Sequence, residues 1–331
     1  MIRLSLGTAA QLGLLKMRME SLPTTAYLLH GEGCQMNCAF CPQARDAGRQ
    51  PGRLGRITWP SFPQEEVAAR LQQAARKGLL QRICLQAVYE PGGSKAVAEL
   101  LRRLKDVVQL PLSLSAPVHS IAEAALYFEA GAERLSIALD AAAGEIYALY
   151  KGGLLQKRLR LLSDCARLWP GRMSTHLICG LGETEAQVAL LLERLVKEKI
   201  TVALFAFTPL KGTPLEQRLP PEPASYRRLQ ALYYLLRHGH LSAKDLRFDK
   251  GRLISFGLDE SKLRHLLGGG EAFQTCGCPG CNRPYFNERP GGFIYNYPRP
   301  LKQSEIAAAL TLVQRSLFPW GEKSREFFYE R

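Results

Sequence analysis

The stretch Cys34-Gln-Met-Asn-Cys38-Ala-Phe-Cys41 carries three thiols at C-x3-C-x2-C spacing, just after an apolar run. Thiolates at this spacing suit a four-iron, four-sulfur cluster, because a tight loop can wrap one corner of the cube. Three cysteines satisfy three irons and leave the fourth iron without a protein ligand. Since an open coordination position marks a reactive metal site, the stretch predicts a reactive cluster. The alternatives are a zinc site, for which His30 is the nearby fourth ligand, and scattered core cysteines.

The composition is that of a folded protein from a reducing compartment. Hydrophobic residues make up 46% of the 331-residue chain, which excludes wholesale disorder. No apolar run reaches the roughly 18–20 residues that a membrane-spanning helix needs. Nine cysteines, six of them in two tight groups, favour metal binding over disulfides. We therefore expect a cytoplasmic protein without a membrane segment.

The formal charge of +14 predicts an acidic partner, which could be a nucleic acid, an acidic protein or an anionic small molecule. Part of the excess follows the cysteine loop, at Arg45, Arg49, Arg53 and Arg56, with only Asp46 against them. No Lys/Arg run with interleaved aromatics resembles a nucleic-acid module, so nucleic acid is the less favoured partner. A basic surface that binds nothing acidic is the alternative.

Short β-rich runs alternate with helical patterns from about residue 24 to 215, which predicts βα units around a parallel sheet. The predicted strands are Ala26–His30, Arg82–Val88, Pro111–Ala116, Arg134–Asp140, Met173–Cys179 and Val202–Thr208, and the predicted helices include Gln64–Lys77, Lys95–Val107, Ile121–Ala130, Leu154–Leu168 and Glu185–Lys199. The fold class is therefore α/β, a partial (βα)6 barrel. A seventh strand near Leu246–Ile254 would extend it toward (βα)8. Parallel barrels carry their chemistry at the carboxyl ends of the strands, where the first cysteine loop falls.

The domain organisation follows from the same pattern. We expect an N-terminal leader helix packed on the barrel in residues 1–23, a barrel core in residues 24–220 and a C-terminal extension in residues 221–331. The extension contains Cys276-Gly-Cys278-Pro-Gly-Cys281, a C-x-C-x2-C run that offers three thiolates on one loop. This run predicts either a second iron–sulfur cluster or a zinc knuckle. Cys84 and Cys165 are expected to be core or helix residues.

The first cysteine motif, with Phe40 before its last cysteine, resembles the radical S-adenosylmethionine (radical SAM) enzymes. The resemblance implies that the open iron binds the amine and carboxylate of SAM and donates the electron that cleaves it. A radical SAM core requires iron–sulfur delivery, which favours a second cluster at Cys276, Cys278 and Cys281. That passage and Arg247-Phe-Asp-Lys-Gly-Arg252 are most similar to the paired, two-protein lipoyl synthases of archaea and some bacteria, within the biotin synthase and lipoyl synthase group.

Two further segments resemble SAM-binding segments of biotin synthase. The segment Leu177-Ile-Cys-Gly-Leu-Gly-Glu-Thr184 is similar to one that forms a slot for adenine, and it contributes the candidates Cys179, Gly180, Leu181 and Glu183. The stretch Leu155-Gln-Lys-Arg-Leu159 is similar to one in which an arginine meets the SAM carboxylate, so Arg158 is a candidate. A solvated helix arginine is the alternative.

The ends of two predicted strands supply the remaining candidates for binding SAM. Asp140 ends the fourth strand, where the resemblance implies polar groups for the ribose hydroxyls; an N-cap is the alternative. The second strand ends in Leu85-Gln-Ala-Val-Tyr-Glu-Pro91, where Gln86 or Glu90 would receive the SAM amine. The glycines that normally accompany this element are missing. The single-chain lipoyl synthase motifs, an N-terminal C-x4-C-x5-C and a C-terminal serine, are not evident either.

The resemblance implies a radical SAM sulfurtransferase that inserts sulfur into the octanoyl chain of a lipoyl carrier domain. Its cofactors would be SAM and two 4Fe-4S clusters, of which the second donates sulfur. Its partners would be an acidic octanoylated carrier domain, a second radical SAM lipoyl synthase protein and an electron donor such as ferredoxin or flavodoxin. The alternatives are biotin synthase-like chemistry on a small molecule, tRNA modification, or a non-catalytic metal-binding module that binds nucleic acid.

Overall fold

An eight-stranded sheet organises the computed structural model, which describes residues 1–47, 52–288, 291–315 and 317. In chain order the strands are β1 Ile2–Leu4, β2 Thr25–His30, β3 Arg53–Leu54, β4 Ile57–Thr58, β5 Ser61–Phe62, β6 Arg82–Ala87, β7 Leu112–Ser115, β8 Arg134–Ser136, β9 Met173–Cys179, β10 Thr201–Ala206, β11 Arg247–Asp249 and β12 Arg252–Ser255. The order in the large sheet is β10-β9-β8-β7-β6-β2-β1-β5.

Strands β2 and β6 to β10 run parallel and form the partial barrel that the sequence predicts. Apolar residues of these strands such as Leu28, Leu85 and Leu177 are fully buried, because helices cover the outer face of a parallel sheet. The strand predicted near Leu246–Ile254 does not join this sheet. It forms the separate antiparallel hairpin of β11 and β12, since Lys250 and Gly251 have positive φ angles of 44° and 81° and reverse the chain.

The helices are α1 Leu6–Gln11, α2 Gln64–Arg76, α3 Ser94–Val107, α4 Ile121–Glu129, α5 Gly144–Tyr150, α6 Leu155–Leu168, α7 Glu185–Lys197, α8 Pro223–Arg237, α9 Glu260–Leu267 and α10 Gln303–Gln314. Local sequence motifs determine where individual helices begin. Helix α7, for example, begins at a capping box formed by Thr184 and Gln187. In the described part of the chain, no helix is long and apolar enough to cross a bilayer.

The N-terminal 23 residues contain more than the expected helix. Strand β1 comes first and pairs antiparallel with both β2 and β5, and the short helix α1 follows it. The Ser5 hydroxyl caps α1 by accepting from Thr8 N over 3.2 Å. The segment therefore extends the sheet beyond the barrel strands as well as packing on them.

Residues 274–288, which we call the cysteine strap, connect the first and last parallel strands of the open barrel, β2 and β10. At the β2 end, Thr24 N donates to Asn282 Oδ1 over 3.0 Å. At the β10 end, the side-chain amide of Asn287 donates to Ala206 O over 2.8 Å. An uncovered strand edge leaves backbone groups without partners, and the strap satisfies some of those on β10. It therefore covers the gap between the first and last barrel strands.

Candidate active site

A cavity of about 330 Å³ lies inside the barrel, and both cysteine motifs line it. The first motif contributes Cys34, Cys38 and Cys41, and the strap contributes Cys278 and Cys281. Inward-facing side chains of the barrel strands form the wall between them. The two motifs are more than 230 residues apart in the chain, and the barrel brings them to one space.

The first cysteine loop follows β2 and is fixed to its neighbours by backbone hydrogen bonds. Gln35 N donates to Tyr89 O over 2.8 Å, just beyond the end of β6. The Glu90 carboxylate accepts from Glu32 N over 2.8 Å. Ala39 N donates to Tyr150 O, at the end of α5, over 2.8 Å. These contacts hold the loop at the carboxyl ends of the strands, where the sequence predicts it.

The thiols of the first loop suit an iron–sulfur cluster. Burial raises the pKa of the Cys38 and Cys41 thiols to about 12. A thiol buried in this way is deprotonated at neutral pH when a cation stabilises its thiolate, and a ligated metal supplies that positive charge. Within the described residues, no group of three or more Cys, His, Asp or Glu side chains is arranged around a single metal ion. Three thiolates on one short loop can each bind a separate iron of a cluster, which is the donor chemistry that such a cluster requires.

The strap brings a second group of thiols to the opposite side of the cavity. Cys281 Sγ lies 3.4 Å from the Tyr27 hydroxyl, and its backbone N donates to Cys278 O in a tight turn. Cys276 lies outside the cavity wall, with its Sγ accepting from Leu204 N over 3.2 Å at the edge of β10. Arg283 is buried beside them and donates to Cys276 O over 2.8 Å.

Cys84 packs against a small buried cluster, in line with the sequence expectation, and it also lines the cavity. It lies on β6 beside Tyr27 of β2 in the parallel register, and its side chain lines the cavity together with Cys278 and Cys281. Burial raises the pKa of the Cys84 thiol, and the neighbouring Cys281 and Cys278 add to that effect. A fourth thiol therefore faces the strap cysteines.

The two thiol groups lie at opposite ends of the barrel. The first loop leaves β2 at its carboxyl end, after His30. The part of the strap that carries its cysteines is bound to the amino ends of β2 and β6: Gly280 O accepts from Thr25 Oγ1 over 2.9 Å, and Pro279 O accepts from Arg82 Nε over 3.0 Å. Thr25 and Arg82 are the first residues of β2 and β6. The cavity thus joins one thiol group to the other along the strand direction.

The family model described as the Radical SAM superfamily matches residues 28–195, which is just over half of the 331 residues. The chain belongs to the radical SAM superfamily. The match contains the first cysteine loop and ends before the strap. A 4Fe-4S cluster and SAM are therefore implied for the first site by the family, and the thiols there fit this cluster.

The chain is similar in sequence to a methylthiotransferase and to a biotin synthase. It is 30% identical over 227 residues to the ribosomal protein uS12 methylthiotransferase RimO of Synechococcus sp. (strain RCC307), a match that covers 61% of this chain and 43% of RimO. It is 28% identical over 228 residues to the biotin synthase of Synechococcus sp. (strain JA-3-3Ab), covering 66% of this chain and 69% of that protein. The chain therefore spans less than half the length of RimO.

Solved structures show the same fold. The FeFe-hydrogenase maturase HydG from Carboxydothermus hydrogenoformans superposes with a TM-score of 0.51 at 12% sequence identity, over 86% of this chain and 65% of that chain. At this identity the likeness concerns the fold alone.

Four of the residues predicted to bind SAM line the cavity of this radical SAM protein: Phe40, Gln86, Asp140 and Arg158. Arg158 is half-buried, with its side chain at the cavity wall. One of its terminal nitrogens donates to Val118 O, and its buried Nε has no hydrogen-bond partner among the described residues. A guanidinium at a cavity wall with an unused, buried donor suits an anionic ligand such as a carboxylate.

The cavity wall does not include Glu90 or the four candidates from the segment after β9, which are Cys179, Gly180, Leu181 and Glu183. Cys179 and Leu181 are buried in the core. The Glu183 carboxylate accepts from Gly180 N over 2.7 Å, and burial raises the pKa of this carboxyl. Gly180 has a φ of 104°, which favours glycine at this turn. The segment thus shapes the turn after β9, and its contact with SAM stays a prediction.

Lys151 and His176 are among the polar residues of the cavity wall that sequence reasoning missed. Burial lowers the pKa of His176 to about 4, so its ring is neutral near pH 7. Its Nε2 lies 3.4 Å from Ser136 Oγ. His176 alternates with buried neighbours along β9, and this period of two is the signal that could have placed it in the barrel interior.

Proposed function

We propose that this chain is a radical SAM sulfurtransferase that inserts sulfur into the octanoyl chain of a lipoyl carrier domain, as one member of a lipoyl synthase pair. The observation that carries the proposal is one cavity with a thiol group at each end. A radical generator and a sulfur donor must both reach the same substrate carbon, and a cavity between two cluster sites allows this.

The chemistry is divided between the two ends. When bound, the first cluster and SAM would supply a radical that abstracts hydrogen from an unactivated carbon, and the second cluster would supply sulfide. Cys34, Cys38 and Cys41 would hold the first cluster, and Cys276, Cys278 and Cys281 the second. Cys276 lies outside the cavity wall, whereas Cys84 faces Cys278 and Cys281, so we include Cys84 as a thiolate ligand of the second cluster.

The chain's own residues provide positioning and protection. Phe205, Phe207 and Leu114 are among the apolar side chains of the wall, and they suit a hydrocarbon chain. The strap covers the side of the barrel, so bulk water is kept from the middle of the cavity. Arg283 stacks over the Phe205 ring at 4.1 Å, and its positive charge lies beside the thiols that would carry the second cluster's negative charge.

Two further observations support sulfur chemistry and an acidic carrier. One named relative is a methylthiotransferase, and the other makes biotin, whose ring contains sulfur. The charge of +14 suits an acidic protein partner. Of the four arginines expected beside the first loop, Arg56 donates to Glu288 O in the strap. Arg49 lies outside the described residues. Arg45 and Arg53 are exposed beside the loop.

Mass spectrometry of an octanoyl-lysine carrier domain tests this function. The reconstituted protein, with and without its partner protein, is incubated with SAM and reductant. We expect sulfur added to the octanoyl chain, together with 5′-deoxyadenosine. The triple variant C34A/C38A/C41A is the control and should form neither product. Cleavage of SAM without thiolation under all conditions would show that the carrier is not the substrate.

A small polar molecule is the second candidate substrate. The middle of the cavity carries Ser113, Ser136, Ser174 and the neutral His176, which can all hydrogen-bond a polar ligand. Each of these groups already has a partner in the protein, but a heterocycle could use the hydrogen-bonding capacity that remains to them, which a hydrocarbon chain could not. Thiolation of dethiobiotin in the same assay would support this candidate.

A further inference from the structure

Lys151 follows helix α5 and places its ammonium inside the barrel. Its side chain is 4% exposed, and its Nζ lies 2.6 Å from Oδ2 of Asp140. The ammonium also donates to the backbone oxygen of Ala138. One side chain therefore binds two residues that follow strand β8.

The first cysteine loop adjoins the same corner. The hydrogen bond from Ala39 N to Tyr150 O joins the direct chain neighbours of Cys38 and Lys151. Cys38, Asp140 and Lys151 all line the cavity. The ion pair thus lies beside the thiols that would hold the SAM-binding cluster.

Stability does not account for this ion pair. The free energy that a buried ion pair gains from Coulomb attraction is about equal to the free energy that desolvation of its two charges costs. Apolar residues of similar volume would therefore stabilise the fold equally well. Asp140 also has a φ of 64°, a left-handed conformation that few residues other than glycine adopt. Its backbone is held by bonds to His176 O and from Ile178 N, over 2.9 and 2.7 Å. Its carboxylate direction is set by Lys151.

We propose that Lys151 is a positioning residue for SAM, acting through Asp140. It holds one carboxylate oxygen of Asp140, so that the other oxygen is aimed into the cavity to accept from the ribose hydroxyls. A carboxylate fixed by a cation on one side is a strong, directed acceptor for a vicinal diol on the other. The inference rests on the superfamily membership and on Asp140 as the predicted ribose contact, and it is independent of the sulfur acceptor.

Binding of SAM and of its deoxyribose analogues tests this role. The dissociation constant is measured by following the electron paramagnetic resonance (EPR) signal of the reduced first cluster during titration. The ligands are SAM and its 2′-deoxy and 3′-deoxy analogues. The variants are Lys151→Met, which keeps length and loses charge, and Asp140→Asn. Lys157→Met, on the exposed face of α6, is the matched control.

We expect Lys151→Met to weaken SAM binding by roughly ten-fold or more, the loss typical of a hydrogen bond to a charged group. For at least one deoxy analogue the loss should shrink to about two-fold or less, because the hydroxyl that uses Asp140 is gone. Asp140→Asn should give the same pattern, and Lys157→Met none. Equal losses for SAM and both analogues, or no loss, would overturn the proposal. If Lys151→Met does not fold, the pattern for Asp140→Asn and for Lys151→Arg decides.

Discussion

Cys84 faces the cavity because it alternates along β6 with Ile83 and Leu85, which are buried on the other side of the sheet. The local sequence around a cysteine in an apolar strand is the same whether the cysteine packs in the core or faces a metal site. The parallel register with β2 places it next to Tyr27, whose hydroxyl contacts Cys281. Its role therefore depends on contacts between residues about 200 positions apart, which the local sequence does not contain.

We predict that Cys84→Ala changes the second cluster and leaves the first intact. Losing one thiolate should change the Mössbauer and EPR spectra of one cluster and lower the iron content below the eight irons of two 4Fe-4S clusters. SAM binding to the first cluster should be unchanged.

Cys165→Ala is the matched control for this substitution, because Cys165 is a buried cysteine on helix α6 away from both thiol groups. Iron content and spectra identical in Cys84→Ala and Cys165→Ala would show that Cys84 is not a ligand.

Among the secondary-structure elements, the sequence predicts the parallel strands well, but it does not predict strand β1 or the separate hairpin of β11 and β12. Met173–Cys179 is predicted to the residue, because buried strands are short apolar runs bounded by turn residues. The hairpin of β11 and β12 is missed as a separate unit, because its alternating pattern is the same whether or not it joins the large sheet. Strand β1 is missed because three residues are too few for a periodic signal, and only pairing with β2 defines it.

A buried ion pair fastens this hairpin to the helices. The Glu185 carboxylate accepts from Arg228, from Ser225 Oγ over 2.6 Å and from Leu253 N over 2.9 Å. The side chains of Arg228 and Glu185 are only 1% and 8% exposed. One carboxylate thus joins α7, α8 and β12.

We predict that Glu185→Ala lowers the free energy of unfolding by about 3–5 kcal/mol, because Arg228 is left buried without its counter-charge. Urea denaturation followed by circular dichroism measures the change. Glu260→Ala, which removes an exposed pair with Arg264, is the control and should cost less than about 1 kcal/mol. Similar losses for both variants would contradict the prediction.

Across the whole molecule, the strap converts an open barrel into a closed reaction space. Its cysteine motif is visible in the sequence, but its position is not, because the contacts of Asn282 with Thr24 and of Asn287 with Ala206 span 258 and 81 positions. The surface around the first loop has a different task. Under the proposed function a carrier domain would approach there, and the net positive charge of the chain would attract an acidic one.

We predict that Arg45→Glu together with Arg53→Glu raises the KM for an octanoylated carrier domain far more than for a short octanoyl-lysine peptide. The charges act on the carrier surface, which the peptide lacks, so only the carrier should be affected. Arg102→Glu with Arg103→Glu, on helix α3, gives the same change in net charge and serves as control. Equal effects on carrier and peptide would indicate a role in folding or in SAM binding.

Mutation should separate the roles of the two thiol groups, one at each end of the cavity. We predict that Cys278→Ala with Cys281→Ala preserves SAM cleavage but abolishes thiolated product, because the radical would still form at the first site with no sulfide to trap the substrate carbon. Each C–S bond replaces a C–H bond, and the hydrogen leaves in 5′-deoxyadenosine. Product counts should also stop near one turnover per chain, since a cluster that donates its own sulfide is consumed.

Isotope labelling decides whether the strap cluster is the source of that sulfur. After reconstitution with heavy sulfide, the product should carry heavy sulfur even when light sulfide is present in solution. A structural zinc at the strap would be chemically inert and would leave the product's sulfur unlabelled. Light sulfur in the product, or thiolation by the Cys278→Ala and Cys281→Ala variant, would assign the strap a purely structural role: closing the barrel between β10 and β2.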